Sequence, residues 1–250
     1  MINVLLALMV IASFLLALPL HECGHALMAS LLGDKTPRNE GRLSLGLRSH
    51  IDPVGMLMCA ILAFQPGIPV GLGWGKPVKT DPWKMRVGAN TGVLLVAIAG
   101  PIFSLLIGLF VSLLLRFVPA SLYVEPFLIR IPQFLVVFAS VNICLAIFNI
   151  IPLYPLDGYQ VLYTLLPSRQ AVQFAKSATY GPLIILGIFF LVPFLVQLAA
   201  PGLAGFPLFH LPSYIWLGSI NLVGLAAGSL PVPGLLLPLL YLYNIPTFIK

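Results

Sequence analysis

Long stretches without a charged side chain divide this sequence into segments. Four of the five stretches are long enough to cross a membrane as helices, which takes about 20 apolar residues. The other one, Val54 to Phe64, would reach only about 16 Å as a helix, so we expect it to re-enter the membrane or to pack inside the protein. The stretches are Ile2 to Leu20, Val54 to Phe64, Val87 to Leu115, Ile131 to Leu156 and the tail from Ser177 onwards.

The tail is the longest uncharged stretch. From Ser177 to Ile249 there is no Asp, Glu, Lys or Arg, and no water-facing surface would be so uncharged over such a length. The pattern predicts helices near Gly181 to Ala199 and near Phe209 to Ala227. A last apolar piece, Gly234 to Tyr243, is short for a span.

The composition of the chain, taken together with this pattern, indicates the fold class. Apolar residues make up 60% of the chain and charged residues 8%, whereas about 25% of a soluble domain is charged. This excludes a soluble enzyme with a membrane tail. We expect an all-α membrane protein with five or six transmembrane helices and a re-entrant or irregular segment after the first helix. Within that segment, the Gly- and Pro-rich stretch Gln65 to Lys79 predicts a loop or irregular strand with close backbone approaches.

Positive charge is concentrated in one part of the chain. The formal net charge is +6, and eight of the 13 Lys and Arg residues lie between Lys35 and Arg86. Loops that orient a membrane protein carry such charge on the cytoplasmic side, which explains the pattern better than a nucleic-acid surface. We therefore expect no nucleic-acid partner. If Val54 to Phe64 turns back, the basic loops before and after it are both cytoplasmic.

A metal-binding motif follows the first apolar run. His21, Glu22 and His25 match H-E-x-x-H, in which two histidines four residues apart on a helix face the same zinc ion and the glutamate can serve as acid/base for water. Ionisable residues within an apolar helix are costly and are functional by default. The motif therefore predicts a zinc site below the membrane surface.

A catalytic zinc ion needs a third protein ligand and an open position. Asp157 is a candidate because it ends the run Asn149 to Gly158, which the predicted topology brings to the level of the motif. Its alternative role is to cap a following helix, Tyr159 to Leu166, and the spacing leaves both roles open. We expect His50 to be structural, and likewise His210, which the topology places near the outer side, far from the motif.

Further motifs make the sequence resemble the site-2 protease family of intramembrane zinc metalloproteases, in its short bacterial form without a PDZ or regulatory domain. The resemblance runs in the family's order from about Leu20 to Gly158. One departure is Ser104, where many members have Asn after A-G-P, and the tail beyond Tyr180 aligns with nothing in the family. Besides H-E-x-x-H, the similar motifs are Leu32 to Asp34, Thr36 to Pro37, Gly41 to Leu45, His50 to Gly55, Gly73 to Val78 (G-W-x-K-P-V), Ala99 to Pro101 (A-G-P) and Asn149 to Gly158 (N-x-x-P-x-x-P-L-D-G).

This resemblance implies an activity and a set of roles. It implies that His21, His25 and Asp157 bind Zn2+, that Glu22 is the catalytic acid/base, and that Asn149 positions or stabilises the substrate carbonyl. The expected function is hydrolysis of a peptide bond within or near a transmembrane segment of membrane-protein substrates, as in regulated intramembrane proteolysis.

The resemblance also implies an organisation. Residues 1–176 would form the membrane-embedded metalloprotease core, with a three-helix catalytic centre, and residues 177–250 would add C-terminal transmembrane helices to the same domain. The protein would be a multi-pass protein of the lipid bilayer of a bacterial cell membrane, with its active site nearer the cytoplasmic face.

Two other classes of function fit part of the pattern. A membrane metal transporter or metal-binding protein could use His21, His25 and Asp157 as a transit site, although transit needs no base such as Glu22. A protease-like scaffold without activity would not need the full set.

The stretch Pro69 to Gly75 could pair with an unwound substrate as an added strand, or it could line a water path to the zinc.

Overall fold

A computed structural model describes residues 4–65, 70–119, 121–124, 127–200, 202 and 206–228. These residues are mainly helical, and they contain no β-strand beyond one isolated antiparallel bridge between Ile51 and Gly75. The expected all-α class is confirmed. The α-helices in these ranges are α1 (Val4–Leu32), α2 (Thr36–Asn39), α3 (Leu47–His50), α4 (Pro53–Phe64), α5 (Ala89–Leu114), α6 (Ser121–Val124), α7 (Arg130–Asn149), α8 (Asp157–Leu165), α9 (Ser168–Ala175), α10 (Gly181–Leu186), α11 (Val192–Ala199) and α12 (Leu211–Ala227).

Within the described ranges, five helical stretches are long and apolar enough to cross a membrane. This agrees with the expected five or six spans. Helix α4, with 12 residues, is too short to be one of them, and the predicted piece Gly234 to Tyr243 lies outside the described residues. The five stretches are Val4–Leu32, Ala89–Phe117, Arg130–Asn149, Ser168–Ala199 and Pro207–Ala227.

Helix α1 continues from the apolar run through the polar motif without a break. It ends at Gly33, whose φ of 110° suits only glycine. The N–H of Gly33 donates to the carbonyl of Ser30, and the N–H of Asp34 donates to the carbonyl of Ala29. These two bonds satisfy free carbonyls at the helix end in the Schellman arrangement, so the motif lies in the interior of a helix.

Helices α1, α5 and α7 pack against one another and form the centre of the bundle. Helices α5 and α7 approach closely at Gly108, where a Cβ would meet the carbonyl of Ala139 at 2.9 Å and a side-chain carbon of Ile143 at 2.6 Å. Helix α7 ends at Asn149, before the apolar run does, because Pro152 cannot supply a helical N–H and restricts the residue before it.

The Gly-rich segment from Val70 to Gly75 is extended and buried. Its larger side chains, Val70, Leu72 and Trp74, point into the core and are at most 4% exposed. Three glycines alternate with them, and a Cβ at each would overlap neighbouring atoms, so that only glycine fits. The contacts are Gly71 with Val10 and Val141, Gly73 with Phe14 and the Gly55 carbonyl, and Gly75 with Glu22 and Leu18. The close backbone approaches predicted for this loop or irregular strand are found at these three glycines.

The direction of α12 follows from two contacts. Arg116, just after α5, donates from Nε to the carbonyl of Ala226 at the end of α12 (2.9 Å). Deeper in the bundle, the Sγ of Cys144 in α7 lies 3.3 Å from the Oγ of Ser219. Because α7 runs opposite to α5, α12 runs in the same direction as α5 and begins at the end of the bundle where α7 ends.

His210 precedes α12 and therefore lies at that same end. Our expectation that it lies at the opposite end of the bundle from the motif was wrong. The expectation assumed that the tail helices alternate up and down beside the core, but only 11% of the most apolar window of Ser168–Ala199 is buried in the protein. This stretch contacts the core near Ile185 and Phe189 without packing along it.

Candidate metal centre

Helix α1 places both histidines of the motif on one face. His21, Glu22 and His25 are buried, with exposed fractions of 2, 5 and 5%. The two imidazole rings are 4.9 Å apart between centroids and nearly perpendicular, and their Nε2 atoms are 3.2 Å apart. The i and i+4 spacing on one α-helix is sufficient to produce this pair.

Asp157 comes to this pair from a distant part of the chain, 136 residues after His21. Its Oδ2 lies 3.0 Å from the Nε2 of His21 and its Oδ1 lies 3.2 Å from the Nε2 of His25. Asp157 begins α8, but the cap position belongs to Leu156, and no side chain makes a capping hydrogen bond there. The carboxylate is thus directed at the histidines and not at the helix N-terminus.

The outer nitrogens of both rings are fixed by α5. The Nδ1–H of His25 donates to the carbonyl of Val96 (2.7 Å), and the Nδ1 of His21 lies 2.9 Å from the Oγ of Ser104. A carbonyl can only accept, so neutral His25 carries its proton on Nδ1 and presents an Nε2 lone pair to the centre. A partner on the other nitrogen is the usual way in which metal-binding histidines are oriented.

This donor set fits a zinc ion. Lone pairs on two imidazole nitrogens and a carboxylate repel one another at 3.0 to 3.2 Å unless a cation or protons lie between them. Zinc bonds of about 2.0 Å in a tetrahedron place neighbouring ligand atoms about 3.3 Å apart, close to the observed separations. In the part of the chain that the structure describes, this is the one group of three His, Cys, Asp or Glu side chains close enough to share a metal ion.

Glycine at position 100 makes room for the second histidine. A Cβ on Gly100 would overlap the imidazole of His25, so a larger residue would push the ring out of the group. The A-G-P motif can be recognised in the sequence, but the sequence assigns no role to its glycine, to Ser104 or to the Val96 carbonyl. Their contacts depend on how α5 packs on α1, which no local pattern specifies.

Glu22 lies against the segment Val70 to Gly75. Its Oε1 is in contact with Gly75, and a Cβ at Gly75 would also meet the side chain of Leu18 at 2.9 Å and the carbonyl of His50 at 3.0 Å. Glu22 is not one of the three grouped donors. Its carboxylate therefore sits in a narrow buried space next to them.

His50 and His210 are not among the three grouped donors, and Asn149 makes a hydrogen bond within its own helix. Asn149 is buried, and its Nδ2 donates to the carbonyl of Leu145 in its own helix (2.9 Å). The Nε2–H of His50 donates to the carbonyl of Ser44 (2.7 Å), and burial lowers the pKa of His50, which favours the neutral ring. The ring of His210 contacts Tyr214.

A bundle of apolar helices that encloses an H-E-x-x-H helix, with an acidic side chain grouped with its two histidines, is typical of the class of membrane-embedded zinc peptidases. Within that class, the chain belongs to peptidase family M50, the site-2 proteases, and is a site-2 protease-like intramembrane zinc metalloprotease. The family model matches residues 121–193, which include Asn149 and Asp157. The resemblance seen in the sequence motifs is thus confirmed.

Two relatives carry the similarity over most of the chain. A Bacillus subtilis (strain 168) protein named "Putative zinc metalloprotease YwhC" is 30% identical over 182 residues, which cover 72% of this chain and 78% of the relative. A Mycobacterium tuberculosis (strain H37Rv) protein named "Putative zinc metalloprotease Rip2" is 29% identical over 188 residues, covering 74% and 67%. No solved structure is significantly similar to the chain.

Proposed function

We propose that this protein hydrolyses peptide bonds within or near the membrane-spanning segments of other proteins, with His21, His25 and Asp157 as zinc ligands and Glu22 as acid/base. One observation carries the assignment. The lone pairs of two imidazoles and a carboxylate meet at 3.0 to 3.2 Å inside an apolar bundle, and the residue that follows His21 in α1, Glu22, is a second buried acid.

The mechanism divides the work among these side chains. Zinc held there would supply Lewis acidity, which polarises the scissile carbonyl and makes water nucleophilic near neutral pH. Glu22 accepts the proton of the attacking water on its carboxylate and then donates it to the leaving amide nitrogen. Val96 and Ser104 hold the imidazoles by their Nδ1 atoms. The buried setting excludes bulk water and strengthens each charge interaction.

Asn149 has a proposed role in the transition state. It stands at the end of α7, eight residues before Asp157, with an amide that can donate two hydrogen bonds. We infer that this amide exchanges its bond to the Leu145 carbonyl for one to the developing oxyanion, where such a donor contributes about 3 kcal/mol in other proteases.

The substrate must expose its backbone to this site. A transmembrane helix hides its carbonyls in its own hydrogen bonds, so the substrate segment has to unwind locally near Glu22. Every residue from Val70 to Gly75 is buried, which favours the role of this segment as a wall of the site over that of a free edge strand. Strand addition by the substrate would require the segment to be uncovered first.

Orientation and organisation complete the proposal. The end of the bundle where α1 finishes carries the basic loops Lys35 to Arg48 and Lys76 to Arg86, so we infer that the site is nearer the cytoplasmic face of the cell membrane. Both named relatives come from bacteria, which supports a bacterial membrane. We assign residues 1–176 to the protease core and the tail to the same domain, since α12 packs on α5 and α7.

Reconstitution tests the function directly. The purified protein in liposomes should cleave at least one of a panel of single-span substrates, should lose cleavage with a zinc chelator, and should recover it with added zinc. A transporter that uses the same three ligands would instead move zinc into the liposomes and leave the whole panel intact. The transporter is not favoured, because a transit site has no use for Glu22 beside an open ligand position.

A further inference from the structure

Arg42 is a buried charge outside the donor group. Its side chain is 4% exposed, and the carboxylate of Glu40 is 4.0 Å from its Nε. Burial of a guanidinium is costly unless its donors are satisfied, and an apolar residue of similar size is often at least as stabilising. The stability of the fold alone therefore does not explain why an arginine is buried here with these specific partners.

Those partners are backbone carbonyls from two separate parts of the chain, α3 and the segment that follows Gly75. Nη1 donates to Ser49 (2.6 Å) and to Lys76 (3.1 Å), and Nη2 donates to Pro77 (3.1 Å). The N–H of Lys76 adds a hydrogen bond to the carbonyl of His50 (2.8 Å). A planar guanidinium can hold three carbonyls in fixed relative positions, which the single ammonium of a lysine cannot do.

The contacts of Arg42 lead back at two places to α1, the helix that carries Glu22. The thiol of Cys23, the residue after Glu22, donates to the carbonyl of Arg42 (3.5 Å). The second place is Gly75, which precedes Lys76 and touches the carboxylate of Glu22. Arg42 thereby connects α1, the loop before α4 and the extended segment around one buried carboxylate.

We propose that Arg42 is a positioning residue for proteolysis. Its guanidinium fixes residues 75–77 against Glu22 and so sets the gap in which the scissile bond and the attacking water meet the carboxylate. This inference rests on the proposed function. A purely stabilising arginine would change the yield or the melting temperature of the protein without changing turnover by the molecules that are folded and loaded with zinc.

Three variants separate these roles. Arg42→Met removes the donors while keeping a flexible apolar chain, Arg42→Lys restores a charge with fewer matched donors, and Arg48→Met is the matched control, since Arg48 is exposed in α3. Turnover is measured per zinc-loaded molecule in liposomes. We expect kcat of Arg42→Met to fall about 100-fold, as for a misplacement of about 1 Å, with less change in KM. We expect Arg42→Lys to recover part of the loss and Arg48→Met to stay within about twofold of the parent.

Hydrogen exchange provides a readout that does not need activity. The amide of Lys76 should exchange at least tenfold faster in Arg42→Met than in the parent, and at the parent's rate in Arg48→Met. If the parent cleaves nothing, the proposed function fails, while the exchange result still decides whether Arg42 fixes the segment. Parent-like kcat in folded Arg42→Met, an equal loss in Arg48→Met, or unchanged exchange at Lys76 would each overturn the proposal. If Arg42→Met does not fold, the same comparisons are made with Arg42→Lys.

Discussion

Asp157 Oδ2 lies 3.0 Å from His21 Nε2 across a separation of 136 residues in the chain. This contact joins the first turn of α8 to the middle of α1. It adds a carboxylate to the pair of histidines, because α1 by itself offers a metal ion only two ligands. The proposed zinc site therefore needs this long-range contact as well as the local H-E-x-x-H motif.

Replacement of Asp157 by Asn tests its role as a ligand. Asn and Asp are about equally good helix caps, but an amide lacks the charge that holds a divalent ion in a low-dielectric site. We expect Asp157→Asn to fold, insert and extract like the parent, with zinc affinity about 100-fold lower or worse and no cleavage. Zinc content and a cleavage assay on the same preparation decide the matter. Full zinc and full activity would show that Asp157 is not a ligand.

A methyl group at position 100 tests the wall behind His25. In Gly100→Ala the added Cβ would overlap the imidazole, so we expect zinc affinity to fall by about 10- to 100-fold, as for loss of a residue that orients a ligand. Gly218→Ala is the matched control, because no atom lies within 4 Å of a Cβ there. Metal titration of both purified variants measures the effect. Equal affinities would mean that His25 does not need the space at Gly100.

The orientation can be tested with single cysteines at Ser44 and Thr80, in a background without Cys23, Cys59 and Cys144. Because α4 does not span, we expect both positions to react with an impermeant reagent from the cytoplasmic side of sealed vesicles. Labelling from opposite sides would mean that the chain crosses the membrane between them. Labelling of both from the outer side would reverse the orientation that we propose.

Asp34 gives a prediction about pH. Although burial opposes the shift, hydrogen bonds from the side chain of Thr36 and from the N–H groups of Asp81 and Thr36 hold the pKa of Asp34 below its ordinary value of 3.8. A lowered pKa in the folded state means that the carboxylate stabilises the fold above pH 3.8 and that this stabilisation is lost as the pH falls below it.

Comparison with Asp34→Asn measures this contribution. At pH 7 the Asn variant should be less stable by about 1 to 3 kcal/mol, because its amide cannot accept both bonds. The difference in melting temperature from the parent should shrink as the pH falls below 3.8. A difference that stays constant down to pH 2.5 would contradict the assignment.

Local patterns in the sequence were sufficient for the spans and for half of the site. The pairing of His21 with His25 follows from helical spacing, and the apolar runs predicted α1, α5 and α7 because membrane helices need little tertiary information to form. The same reasoning suggested Asp157 from its depth but could not separate a ligand from a helix cap, since both roles fit the first turn of a helix.

Other features depended on tertiary packing and were missed or misjudged. The place of His210 was wrong because the direction of α12 is set by contacts such as that of Arg116 with Ala226, which no run of apolar residues specifies. The role of Gly100 depends on the position of an imidazole from α1, and the role of Arg42 depends on carbonyls of α3 and of the segment that follows Gly75. Contacts of this kind leave no periodic signal in the sequence.

The most direct test of the account is Glu22→Gln, assayed for zinc and for cleavage in one preparation. Glutamine keeps the volume of the side chain but cannot accept the proton of the attacking water. We predict parent-like zinc content, with cleavage of a single-span substrate reduced by about 100- to 10,000-fold. The parent treated with chelator gives the level without metal. Cleavage by the zinc-loaded Gln variant at a rate near that of the parent would contradict the account.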